Sequence, residues 1–137
     1  MNYMLMPLRR YADFSGRSRR KEYWLFLLFV FLASIALGIL LGALGFGGAA
    51  AGATAEGLSG TALALVAVPA LLLIVPSIAV QVRRFHDQDR SGWWVLVGLV
   101  PFIGGLVMLA FMVIPGTRGP NRFGPDPKAA HGDGPLA

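Results

Sequence analysis

The densest chemistry in the sequence is Arg83–Arg90. Arg83, Arg84, His86, Asp87, Asp89 and Arg90 put six ionisable side chains into eight positions. A histidine beside two carboxylates suggests two kinds of work. His86, Asp87 and Asp89 could ligate a divalent cation, or His86 could pass a proton with a carboxylate as partner. Neither spacing is diagnostic, because neighbouring side chains on a helix point about 100° apart and a metal would need ligands from elsewhere. The simpler reading is a salt-bridged turn in which Asp87 and Asp89 neutralise the arginines and Ser91 or Asp89 caps a following helix. Ser91-Gly92-Trp93-Trp94 then serves as cap, turn and interfacial belt.

Two more polar stretches carry candidates. Phe14–Trp24, FSGRSRRKEYW, combines Arg17, Arg19, Arg20 and Lys21 with Tyr23 and Trp24. Bases near phosphates and aromatic rings at headgroup depth are membrane-anchoring chemistry, with anionic lipid headgroups as the expected contact. Gly16 reads as a turn before the following helix. Arg118–Pro127, RGPNRFGPDP, matches neither a P-loop nor a dinucleotide fingerprint. Asn121, Arg122 and Asp126 could hydrogen-bond onto the 83–92 segment, with Phe123 filling an apolar notch, if both lie on one side of a membrane. Otherwise the stretch is a solvated tail with a few turns.

The elements that must position these residues are apolar. Of 137 residues, 55% are hydrophobic and only 14% charged, against roughly a quarter charged in a soluble domain. No charge falls between Glu22 and Glu56, between Glu56 and Arg83, or between Arg90 and Arg118. One soluble domain cannot bury three such runs, whereas a spanning helix needs only about 20 apolar residues. Disorder, a secreted disulfide scaffold and a cytosolic enzyme are excluded. The fold class is all-α, a small polytopic membrane bundle. The chain has no cysteine, so disulfides, thiolate chemistry and Cys-ligated clusters are out. The net charge of +5 sits beside the apolar runs, which points to lipid headgroups and topology control, not nucleic acid.

Three spans are expected, at about 25–44, 61–82 and 93–114, within one membrane domain over 1–127 and followed by a flexible tail at 128–137. In the first, fourteen of twenty residues are Leu, Ile, Phe or Val, together worth roughly −4 to −8 kcal/mol of insertion free energy. Pro69 and Pro76 should bend the second toward one side. The third carries Pro101-Phe102-Ile103-Gly104-Gly105 at its centre. Ala51-Gly52-Ala53 resembles a signal cleavage site, but the apolar run before it is about twice the usual length of a signal core. Gly45–Gly60 reads as a flexible connection. Met4, Leu8 and Tyr11 predict a short interfacial helix, with Pro7 in its first turn.

Lys and Arg number six in 1–23, none in 45–60, three in 83–92 and three in 115–137. The positive-inside bias puts the N-terminus and the 83–92 segment in the cytoplasm. Three full spans would leave the tail outside. The alternative is a third segment that turns back at Pro101 and Gly104-Gly105, keeping every basic segment inside. Irregular backbone at depth needs cover from protein or water, so three full spans are the primary expectation.

The order of the three polar stretches relative to the apolar runs, with aromatic endings on the first two, resembles the bacterial inner-membrane family known as domain of unknown function 805, the YhaH-like proteins. The resemblance extends over about residues 8–127. It implies a small multi-pass protein of the bacterial inner (plasma) membrane with no assigned activity, and it lends no catalytic residue or cofactor. The Gly/Ala-rich connection at 45–60 is this chain's main departure.

Within the spans only Ser34, Thr61, Ser77 and Gln81 are polar, which argues against coupled transport. Ser34, Gly38 and Gly42 form a small-residue face suited to close helix packing, within the chain or between copies. The leading functional expectation is a non-enzymatic interaction or lipid-contacting module, with membrane lipids, a second copy or another membrane protein as partner. The alternatives are a small oligomeric channel or transporter and, behind it, a lipid-headgroup enzyme using His86, Asp87 and Asp89.

Overall fold

The computed structural model describes residues 3–46 and 60–129. A single helical turn, α1 (Met6–Arg9), is followed by α2 (Arg20–Leu41), α3 (Gly60–Asp87), a 3₁₀ helix (Gly92–Leu99) and α4 (Gly104–Val113). The expected interfacial helix is thus only one turn, started by Pro7, which is buried. Gly16 adopts φ +74° in the turn before α2, where a side chain would be strained. The 45–60 connection lies almost wholly outside the described residues.

Helices α2 and α3 are long and apolar enough to cross a bilayer, at about 33 and 42 Å. Helix α3 does not stop at Val82. It runs through Arg83, Arg84 and Asp87, so most of the expected polar loop is the helix's last turn. Charge at those positions rules out lipid contact, but not a helix whose charged face is covered by protein.

The third apolar segment is a helical hairpin, a 3₁₀ arm followed by an α arm, and not one continuous helix. Pro101 lacks an N–H and holds Val100 in extended backbone (ψ 118°), while Phe102 turns the chain with φ +65°. The arms then run antiparallel. Gly98 faces Met108, and a Cβ on Gly104 would come within 2.4 Å of the Val97 carbonyl, so only glycine permits the crossing. Trp94 and Phe111 close the open end, their ring centroids 5.5 Å apart. Eight 3₁₀ residues and ten α residues give arms of about 16 and 15 Å, each half of a 30 Å hydrocarbon layer.

The core is small and lies at one end. Tyr23 and Phe26 of α2, Val80 and Phe85 of α3, and Met108 and Met112 of α4 form it. Toward the other end α2 and α3 diverge around a cleft of about 580 Å³ lined by residues such as Val30, Leu37, Pro69 and Leu73. Ser34 and Ser77 also line it, but their hydroxyls donate to the Phe31 and Leu73 carbonyls of their own helices (2.7 and 2.6 Å), so the cleft is mostly apolar. Gly38 and Gly42 have no atom within 4 Å of where a Cβ would stand. The small-residue face therefore does not serve packing among the described residues.

Pro76 removes the N–H that would bond the Leu72 carbonyl. Tyr11 supplies the replacement, donating from Oη at 2.6 Å. The N-terminal segment is thereby fastened to α3.

Candidate functional site

The three polar stretches meet in one cap at the core end of the bundle. Its centre is Asp87, 5% exposed. One carboxylate oxygen receives Arg17 at 3.0 Å, and Arg84 binds the other. Arg17 also donates to the carbonyls of Thr117 and Gly119 (both 2.6 Å), and Arg84 donates to the Ile114 carbonyl. The backbone closes the same joint, with Thr117 N–H on the Asp87 carbonyl at 2.8 Å. Gly116 is required here, because its Cβ would overlap the Asp87 carboxylate.

A second buried pair stands beside it. Arg83 is fully buried and donates to Glu22 Oε1 at 3.1 Å. It also reaches the Asp13 and Arg10 carbonyls (2.6 and 3.3 Å), while Ser18 N–H donates to the Arg83 carbonyl at 3.1 Å. Glu22 was absent from the candidates drawn from sequence. As the lone acid amid four bases at the start of α2, it carried a signal of pairing.

His86 is held between the N-terminal segment and the tail. Its Nδ1 donates to the Gly16 carbonyl at 3.2 Å, and its ring stacks on Phe123 at 3.9 Å between centroids, tilted by 4°. Asp89 is instead paired with Arg122 at 3.2 Å, both exposed. Among the described residues no group of three His, Asp or Glu is placed to hold a metal.

The tail is docked over the described part, to Ala129, and not solvated. Asn121 Nδ2 donates to the His86 carbonyl at 2.9 Å, Arg122 to the Asp89 carbonyl at 2.8 Å, and Phe123 packs on a ring, not into a membrane notch. Asp126 accepts the N–H groups of Gly119 (3.1 Å) and Lys128 (2.9 Å). Burial alone would raise its pKa, but those two bonds and the charge of Arg17 hold it below the ordinary carboxylate range. Asp13 is likewise depressed, by the Ser15 hydroxyl first and then by Arg10.

The anchor residues divide. Arg17 and Arg19 are buried cap members, Arg19 through two bonds to the Pro127 carbonyl. Arg20, Lys21 and Trp24 are exposed. Tyr23 is core, edge-on to Trp24. Trp93 is exposed at the hairpin's base, and Arg90 stacks over Trp94 and Phe111. Ser91 caps the 3₁₀ helix, its hydroxyl accepting Trp93 N–H.

The profile of the family described as "Protein of unknown function (DUF805)" matches residues 11–125. The chain belongs to the DUF805 family. Two relatives from Escherichia coli (strain K12) bear it out. "Inner membrane protein YhaH" is 44% identical over 128 residues, 93% of this chain and 98% of that protein. "Inner membrane protein YhaI" is 41% identical over 131 residues, 93% and 97% of the two chains. No solved structure matches. The DUF805 match begins at Tyr11 and ends at Pro125, so it takes in the first two stretches of the cap and the third as far as Pro125. This DUF805 chain is thus an inner-membrane type of protein of uncharacterised family.

Proposed function

We propose that the chain is a non-enzymatic, lipid-contacting module of the inner membrane that enters from the cytoplasm with its N-terminus inside, crosses twice and adds a re-entrant hairpin. The observation that carries this reading is the cap itself. Its ionisable groups are joined to one another and to backbone carbonyls, whereas the surfaces left open are apolar helix faces and a rim of bases. Catalysis needs a titratable group free to reach substrate, and here His86, Asp87 and Asp89 are each engaged. The three stretches of the cap hold nine of the twelve Lys and Arg, and the positive-inside bias favours the cytoplasm for such a face.

Reporters fused after Gly48, Asp89 and Ala129 test the orientation. The expected pattern is periplasmic, cytoplasmic, cytoplasmic; a cytoplasmic signal after Gly48 overturns it. For function, the purified protein is held in vesicles with and without divalent cations. Unchanged lipid composition and passive solute flux are expected. A new lipid product or specific flux contradicts the non-enzymatic, lipid-contacting reading.

A further inference from the structure

The first turn of α2, the end of α3 and the tail enclose a notch of about 270 Å³ lined by Arg19, Arg20, Lys21, Asp87, Gly116 and the Pro127-Lys128 pair. Its one acid, Asp87, is already bound by two arginines, so the floor carries surplus positive charge. Arg19 holds the Pro127 carbonyl (2.9 Å from Nε) and so keeps Lys128 at the mouth. Arg20 reaches the Val113 carbonyl at 3.2 Å. Among the described residues neither it, Lys21 nor Lys128 has an ion-pair partner. Three exposed cations therefore converge on a concavity whose floor cannot neutralise them. Lysine ammoniums suit phosphate as mobile point charges, and arginine adds a fork of donors.

The notch also opens at the height where α2 changes from charged to apolar. Lys21 heads a helical stripe with Trp24, Leu28 and Phe31, at spacings of three and four, and these three are exposed. A ligand with a phosphate above an acyl chain matches that sequence of surfaces; a free anion uses only the first.

We propose that this notch binds the phosphate of an anionic membrane lipid, with Arg20, Lys21 and Lys128 as its cationic contacts. The proposal rests on the lipid-contacting reading above and names the class of lipid and the place. The test exposes detergent-purified protein to equimolar phosphatidylglycerol and phosphatidylethanolamine and counts retained lipids by native mass spectrometry. The wild type retains phosphatidylglycerol preferentially. Lys21→Gln with Lys128→Gln lowers that retention by about 25-fold, at about fivefold per cation. Arg122→Gln, which removes one positive charge from another part of the cap and so compares with Lys128→Gln, changes it by less than about twofold. Lys128→Gln alone, outside any helix, gives the single-cation effect should the double variant fail to fold. Equal retention by the wild type and both lysine variants overturns the notch and leaves general lipid contact standing. Displacement by inorganic phosphate overturns the lipid as source. A wild type that holds neither lipid overturns the lipid-contacting reading as well.

Discussion

Replacing Asp87 by alanine strands two buried guanidiniums at once. The side chains of Arg17 and Arg84 are 1% and 0% exposed, and neither can move to water without undocking the tail. Losing one partner of a buried pair costs about 3–5 kcal/mol. Arg17 keeps the carbonyls of Thr117 and Gly119 and Arg84 keeps that of Ile114, so the low end applies, about 3 kcal/mol. At roughly 3–4 °C per kcal/mol for a chain of this size, the unfolding midpoint should fall by about 10 °C. Arg122→Ala is the comparison, because the Arg122–Asp89 pair is 61% and 47% exposed and such pairs contribute about 0–1 kcal/mol. Arg19 is unsuitable for that purpose, being buried itself. Tryptophan fluorescence followed through thermal unfolding in one mild detergent compares the two variants, with Asp87→Asn isolating the charge from the lost volume. Midpoints for Asp87→Ala and Arg122→Ala within about 2 °C of each other would refute the reasoning.

Tyr11→Phe should cost about 1 kcal/mol by freeing the Leu72 carbonyl. In a Pro76→Ala background, where residue 76 regains its N–H, the same substitution should cost measurably less in a double-mutant cycle. Gly104→Val should separate the hairpin arms and lower the midpoint by more than Gly105→Val does, since nothing lies within 4 Å of a Cβ at Gly105. Asp126 has a folded-state pKa below its unfolded value, so its contribution is complete above the unfolded pKa, about 4, and fades as pH falls through the folded one. Protection of the 119–128 backbone from hydrogen exchange should therefore decline below about pH 4 and be flat from pH 5 to 8.

The membrane class and the first two apolar helices were legible because hydropathy and charge gaps act residue by residue. The path of the third segment was not. Twenty-two apolar residues meet the length for a span, and the deciding contact, Gly104 against the Val97 carbonyl, is between arms that sequence does not display side by side. Pro101 and the Gly104-Gly105 pair marked the site of the turn without ranking it over a kink. The 83–90 cluster was visible as a group of charges in which Asp87 and Asp89 neutralise arginines, but the pairing of Asp87 with Arg84 depends on α3 continuing past Val82 to Asp87. Its partners from afar, Arg17 and Thr117, depend on the hairpin returning the tail. Three full spans would put the tail across the membrane and leave 118–127 solvated, whereas Arg17, among bases and aromatic rings, has the composition of a lipid anchor whichever side the tail takes. Glu22 pairs with Arg83 from 61 residues away, a contact that neither residue's local spacing displays.

The return of the tail to the 83–90 side is the central claim, and the absence of native cysteine makes one measurement direct. Asp89→Cys and Arg122→Cys are introduced together, replacing side chains that now touch at 3.2 Å, and membranes are treated with a mild oxidant or a short bifunctional thiol reagent. The hairpin predicts an efficient intramolecular cross-link that makes the chain resistant to separation after cleavage between the two positions. A third helix crossing the bilayer would hold the two positions about 30 Å apart, and no cross-link under conditions where each single cysteine is labelled would contradict the account.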